Sequence, residues 1–296
     1  MVWDKFKDIE SRPGCTIRLN FLSSKTDAAS SSLYLCVFIH GVNHSSAGFG
    51  QLASILCKTS LPLVYCAYDL CGHGDSSSAN SISMKDLVSD LHEVIQGARK
   101  AHPTLEGKVL FVGHSLGAVI ACKYLATHRE PHLGLVMLEF VEGPALPAIP
   151  HAVARLRATP RTFPSLDAAR EWALSSGRLQ SASLANLNLS HTLRFSPQGS
   201  TGELRWVAEA FMGLVDEGTL EEWFKGTSAA FAALTLPRLL MVASVHSLSD
   251  RDLTVQQMQG KIGVVVLSGG HALHEDLPRE VAREVAAFTE RALSKA

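Results

Sequence analysis

Short apolar runs rich in β-branched residues, at 33–40, 63–69, 108–113, 133–140, 238–244 and 262–268, alternate along the chain with longer segments of helical period. That rhythm predicts the α/β class, a mostly parallel sheet flanked by helices. The runs show little alternation, as expected of strands buried on both faces. Between them, Met84, Leu87, Val88, Leu91, Val94, Ile95 and Ala98 fall on one stripe of the segment from Ser83 to Arg99, and Ser83 with Asp86 has the pattern of a capping box. An amphipathic covering helix follows. Pro278 opens a second such stripe, Val281, Val285 and Phe288, near the end of the chain.

From Glu142 to about Leu236 the rhythm breaks: strand-like runs are absent, short helical patterns succeed one another, and Ser196 to Gly202 is polar and rich in serine and glycine. A helical cap inserted over approximately 142–236 is expected, within what is otherwise one domain spanning 1–296. The serine-rich stretch from Ser23 to Ser32 is expected to be a surface loop. With 296 residues, 46% of them hydrophobic, the chain can bury a large core. Its 27 basic and 28 acidic residues nearly cancel, which argues against nucleic acid as a partner. The cysteines Cys15, Cys36, Cys57, Cys66, Cys71 and Cys122 contain no C-x-x-C pair, which fits reduced thiols and no zinc site. Charges at Asp4, Lys5, Lys7, Asp8 and Glu10 are unlike a secretory leader, and no apolar run is long enough to span a membrane. A cytoplasmic or nuclear location is expected.

Chemistry concentrates where the run ending at Val112 meets Gly113-His114-Ser115-Leu116-Gly117 and a helical pattern begins at Ala118. Strand, tight turn and helix in that order make a nucleophile elbow, the signature of the α/β-hydrolase fold, with Ser115 as nucleophile. A bare G-x-S-x-G is also an ordinary glycine turn; the flanking strand and helix separate the two. An oxyanion hole needs two backbone N–H groups aimed at one oxygen. Leu116 offers one, and Val42, in the turn His40-Gly41-Val42-Asn43-His44 after the first apolar run, offers the other. His40, Gly41 and His114 are expected to line the substrate site beside them. His271 is the candidate base, because it follows the last apolar run through Ser268-Gly269-Gly270 and precedes the final helix. His274 is its local competitor, and His73 is expected to belong to a structural turn. For the orienting acid, Glu139 ends one run while Asp250 and Asp252 follow another, and pattern alone favours the latter two.

The chain resembles the protein phosphatase methylesterases from about Leu33 to about Glu290. The similarity includes His40-Gly41 with His44-Ser45, the elbow, Val141-Glu142-Gly143, Thr162-Phe163, Glu171-Trp172, Trp223-Phe224, Asp252-Leu253-Thr254, Gln257-Met258-Gln259-Gly260-Lys261, Gly270-His271-Ala272 and His274-Glu275-Asp276. The resemblance implies an enzyme that removes the methyl ester from the C-terminal leucine of the type 2A protein phosphatase catalytic subunit, without cofactor. It also implies that the triad acid is the residue before Phe140, where this chain has Glu139 in place of the family's aspartate. Val42 and Asn43 replace glycines of the family pattern. Two other readings stay open: a general carboxylesterase of small esters, and a phosphatase-binding protein that has lost catalysis.

Overall fold

A computed structural model describes residues 3–23, 32–77, 82–178, 189–195, 203–248 and 251–295, with backbone alone at 246, 247, 251, 252 and 254. Its strands are β1 (Lys5–Arg12), β2 (Cys15–Ser23), β3 (Leu33–Ile39), β4 (Leu63–Tyr68), β5 (Leu105–His114), β6 (Gly134–Leu138), β7 (Thr162–Phe163), β8 (Leu193–Phe195), β9 (Leu204–Trp206), β10 (Arg238–Val242) and β11 (Gly263–Val266). Eight of them form one sheet in the order β1-β2-β4-β3-β5-β6-β10-β11. The pairings β1 with β2 and β2 with β4 are antiparallel, and the others are parallel. This is the α/β-hydrolase fold.

Alternation along each strand decides which face a residue serves. Val37, Ile39, Cys66, Tyr68, Val109, Phe111, Leu135 and Met137 pack with α2 (Met84–Ala101) and α3 (Leu116–Thr127). Their neighbours Cys36, Phe38, Tyr65, Ala67, Leu110, Val112, Val136 and Leu138 pack on the opposite face, against α1 (Gly50–Leu56) and the C-terminal helix Pro278–Leu293. Both sets are apolar because both faces are covered, so the runs lack a polar side. At the start of α2 the Ser83 hydroxyl accepts the Asp86 N–H while the Asp86 carboxylate accepts the Ser83 N–H, the capping box read from the sequence.

Two parts of the fold differ from expectation. The N-terminal hairpin β1–β2 extends the sheet; β1 is an edge strand whose partner carries an Arg18 that pairs with Asp8, so charge masks the strand pattern. The segment from Glu142 to Leu236 is not purely helical: besides α4 (Glu142–Ala158), α5 (Leu166–Ser175) and later helices, β7, β9 and β8 form a small antiparallel sheet. It encloses its own apolar cluster of Phe163, Ala169, Ala173, Leu189, Leu193, Leu204 and Trp206. Trp206 and Trp223 are buried core residues. Residues 24–31 and 196–202, expected to be loops, lie outside the described residues, as does Asp250. Among the described residues, no helix is long and apolar enough to cross a membrane.

Candidate active site

β5 ends at His114 and α3 begins at Leu116, so Ser115 alone makes the turn, with φ 51° and ψ −118°. A left-handed backbone at a residue other than glycine costs about 1–3 kcal/mol and persists only where the surroundings enforce it. Here they do. The Ser115 N–H donates to the carbonyl of Leu138 at 2.9 Å, and the Ser115 carbonyl accepts the Ala118 N–H at 2.9 Å. Glycine is required on both sides: a Cβ on Gly117 would run into the carbonyl of Ile39, and one on Gly113 into the backbone of Gly117 and Ala118. The serine therefore stands where β3, β5 and β6 end together.

The loop after β3 lies against it. A Cβ on Gly41 would sit 3.0 Å from the Ser115 Cβ. Among the described residues, neither the Val42 N–H nor the Leu116 N–H has a protein acceptor. Two histidines fix this loop. His40 donates from Nδ1 to the Gly41 carbonyl at 2.8 Å and accepts the Leu70 N–H on Nε2 at 2.9 Å, while His73 accepts the Asn43 N–H on Nε2 at 3.0 Å. Asn43 itself is left-handed, φ 58°. His73 is thus the structural residue expected of it. The expectation that His40 lines the substrate site needs correction: it is fully buried and both ring nitrogens are spent on backbone, so it shapes the loop without reaching a ligand.

Glu139 leaves β6 in the left-handed region as well, φ 53°. Its N–H donates to the Met241 carbonyl at 2.9 Å, and its Oε1 accepts the Ala243 N–H at the end of β10. That leaves Oε2 facing His271, 3.4 Å from Nδ1. Asn43, Ser115 and Glu139 are the non-glycine residues with positive φ among the described residues, so the backbone strain gathers at one place. The His271 loop is held by His114, whose Nε2 donates to the His271 carbonyl at 2.8 Å. His114 is fully buried, and its imidazole is held well below the usual histidine range, by burial first and by neighbouring histidines second. It holds the His271 loop and does not line a ligand surface, which corrects the second of the expected lining residues. His271 is half-exposed, and among the described residues no hydrogen bond joins it to Ser115.

His274 does not compete for the role of base. It is fully buried, stacks on Phe49 at 4.2 Å, and burial pulls it down to about 3. Two features were not legible in the sequence. His44 Nδ1 lies 3.0 Å from Oε1 of the buried Glu275, linking the loop after β3 to the segment after His271. Arg178, just past α5, donates to the Asn43 carbonyl and stacks over the Trp206 ring at 4.7 Å. Both His44 and Glu275 stand in the motifs that carry the family resemblance; Arg178 carries no local signal. Among the described residues, no group of three or more His, Cys, Asp or Glu side chains is arranged to hold a metal ion.

Known proteins resemble this chain over most of its length. Residues 31–191 match the family model described as serine aminopeptidase, S33. The chain is 31% identical to protein phosphatase methylesterase 1 of Mus musculus, over 85% of this chain and 74% of the mouse protein. It is 32% identical to that of Candida albicans, over 86% of this chain and 68% of the yeast protein. Among solved structures, E-2-(acetamidomethylene)succinate hydrolase superposes with a TM-score of 0.74 at 20% identity, over 97% of this chain and 99% of the other. A peroxisomal α/β-hydrolase of Saccharomyces cerevisiae gives 0.74 at 13% identity, over 98% of this chain and 90% of its own. The chain is a serine hydrolase of the α/β-hydrolase fold and belongs to the protein phosphatase methylesterase family.

Proposed function

We propose that this methylesterase removes the methyl ester from the C-terminal leucine of the type 2A protein phosphatase catalytic subunit, with Ser115, His271 and Glu139 as its triad. His271 takes the proton of Ser115 as the hydroxyl attacks the ester carbonyl. The N–H groups of Val42 and Leu116, free of protein acceptors, hold the oxyanion, and the start of α3 adds its dipole. His271 then protonates the departing methanol. Water repeats the sequence on the acyl-enzyme and releases the leucine carboxylate. Glu139 accepts the Nδ1–H of His271, which keeps Nε2 as the basic nitrogen throughout. The bond from Nε2 to Ser115 completes when the bound tail covers the half-exposed imidazole.

One observation carries the reading: His271 meets Glu139 in a loop tied by its carbonyl to the side chain of His114, the residue next to Ser115. The phosphatase substrate rests on what the relatives are named for. Methyl release from the methylated type 2A catalytic subunit, compared with hydrolysis of a small acetate ester, tests it. A strong preference for the phosphatase is expected. Comparable turnover of both would leave a general carboxylesterase.

A further inference from the structure

Gly177 turns the chain after α5 with φ 70°, and the next residue, Arg178, reaches back over the loop that follows β3. Its guanidinium donates one N–H to the carbonyl of Asn43, two residues beyond the Gly41 that packs on Ser115. The Trp206 ring, itself buried in the small sheet's cluster, fixes the plane of the cation from one side. A guanidinium has five N–H donors. Among the described residues, no carboxylate comes within ion-pair distance of Arg178, and only the one donor is satisfied by protein. Burial draws the group down to about 10, opposed only by the field of Glu275, so it stays charged at neutral pH. Its neighbour His44 is held neutral, well below its usual range, by burial and by Arg178 itself. Arg178 is only partly buried, so its remaining donors, without a protein acceptor or a paired carboxylate among the described residues, stay open to an anionic ligand.

We propose that Arg178 is the anion-binding residue of the acyl side of this site, and that it takes a carboxylate of the peptide substrate. The substrate class rests on the methylesterase reading; the anion site itself does not. Two carboxylates could supply the charge: an acidic side chain upstream of the terminal leucine, or the leucine carboxylate that hydrolysis creates. A planar, preoriented guanidinium suits either one, because it can offer parallel N–H groups to both oxygens.

The test uses peptides as competitive inhibitors of small acetate ester hydrolysis, so that it does not depend on their being substrates. One arm compares a leucine-terminated acid with its leucinamide. The other compares Glu with Gln in the residues preceding a leucinamide. In at least one arm the charged peptide should inhibit the wild type about ten- to a hundredfold better, the range of a hydrogen bond to a charged group. Arg178→Gln should collapse that ratio and Arg178→Lys restore part of it. The ratio is the readout, so a general loss of rate does not obscure it. Equal inhibition by charged and neutral peptides in the wild type overturns the proposal without any variant, and so does a ratio that Arg178→Gln leaves intact. Methyl release from the corresponding leucine methyl esters reports the methylesterase reading separately.

Discussion

Oε2 of Glu139 lies 3.4 Å from Nδ1 of His271, while its other oxygen is anchored to the Ala243 N–H on the neighbouring strand. A glutamine could keep that anchor through its carbonyl but would turn its amide toward Nδ1, donor against donor, and favour the wrong imidazole tautomer. Glu139→Gln should therefore lower kcat by about 10³- to 10⁴-fold with little loss of stability, on the scale seen for acid-to-amide changes in serine triads. Steady-state kinetics with urea unfolding as a control checks this. A variant with near wild-type kcat would remove Glu139 from the triad.

Gly117 approaches the carbonyl of Ile39 too closely for any Cβ. Since the obstacle is backbone, which cannot rotate aside, Gly117→Ala should destabilise the fold by about 3 kcal/mol or more, in the range reserved for strain and overpacking. Urea denaturation measures it. A loss below about 1 kcal/mol would mean that the elbow is more yielding than its geometry implies.

Buried histidines should make the protein acid-sensitive. Burial pulls His274 down to about 3 and His132 to about 4, and holds His44, His73 and His114 well below their usual value. Folded pKa values are thus depressed below an unfolded value of about 6.5. In the interval between, the unfolded chain binds protons that the folded chain refuses, so stability is full above about pH 6.5 and is lost as pH falls below it. Each such group contributes about 1.4 kcal/mol per pH unit at most. Thermal unfolding followed from neutral pH downward should show a steep fall beginning near pH 6.5, and a flat Tm would contradict the buried neutral imidazoles.

The link from His44 to Glu275 joins two loops that both serve the site. Glu275→Ala strands the Nδ1–H of His44 in the interior, which should cost about 1–3 kcal/mol. It should also lower kcat, because the loop carrying His271 loses an anchor. Unchanged stability and rate in this variant would show that the contact is dispensable.

The elements most legible in the sequence were those whose pattern is local. Ser115 could be placed because the turn, its glycines and the helix after it are contiguous, and the parallel strands because burial on both faces makes them uniformly apolar. The hairpin was missed although Cys15, Ile17, Leu19 and Phe21 alternate along β2 with more exposed neighbours; the charges of β1 concealed it. The strands at Thr162, Leu193 and Leu204 are two or three residues long, too short to carry a period. For the acid, pattern alone pointed to Asp250 or Asp252, and only the family resemblance directed attention to Glu139. What no pattern could supply was pairing across the chain, as between His114 and the carbonyl of His271 or between Arg178 and the loop at Asn43. For the same reason His40 and His114 read as ligand contacts, while both ring nitrogens of His40 and Nε2 of His114 in fact serve the backbone.

The proposed mechanism requires the imidazole of His271 to activate the hydroxyl of Ser115. Intact-mass analysis after treatment with a serine-directed fluorophosphonate tests this most directly. One adduct per chain, mapped to Ser115, is predicted for the wild type, with none in Ser115→Ala and a strongly slowed reaction in His271→Ala. An adduct on another residue, or undiminished labelling of His271→Ala, would contradict it.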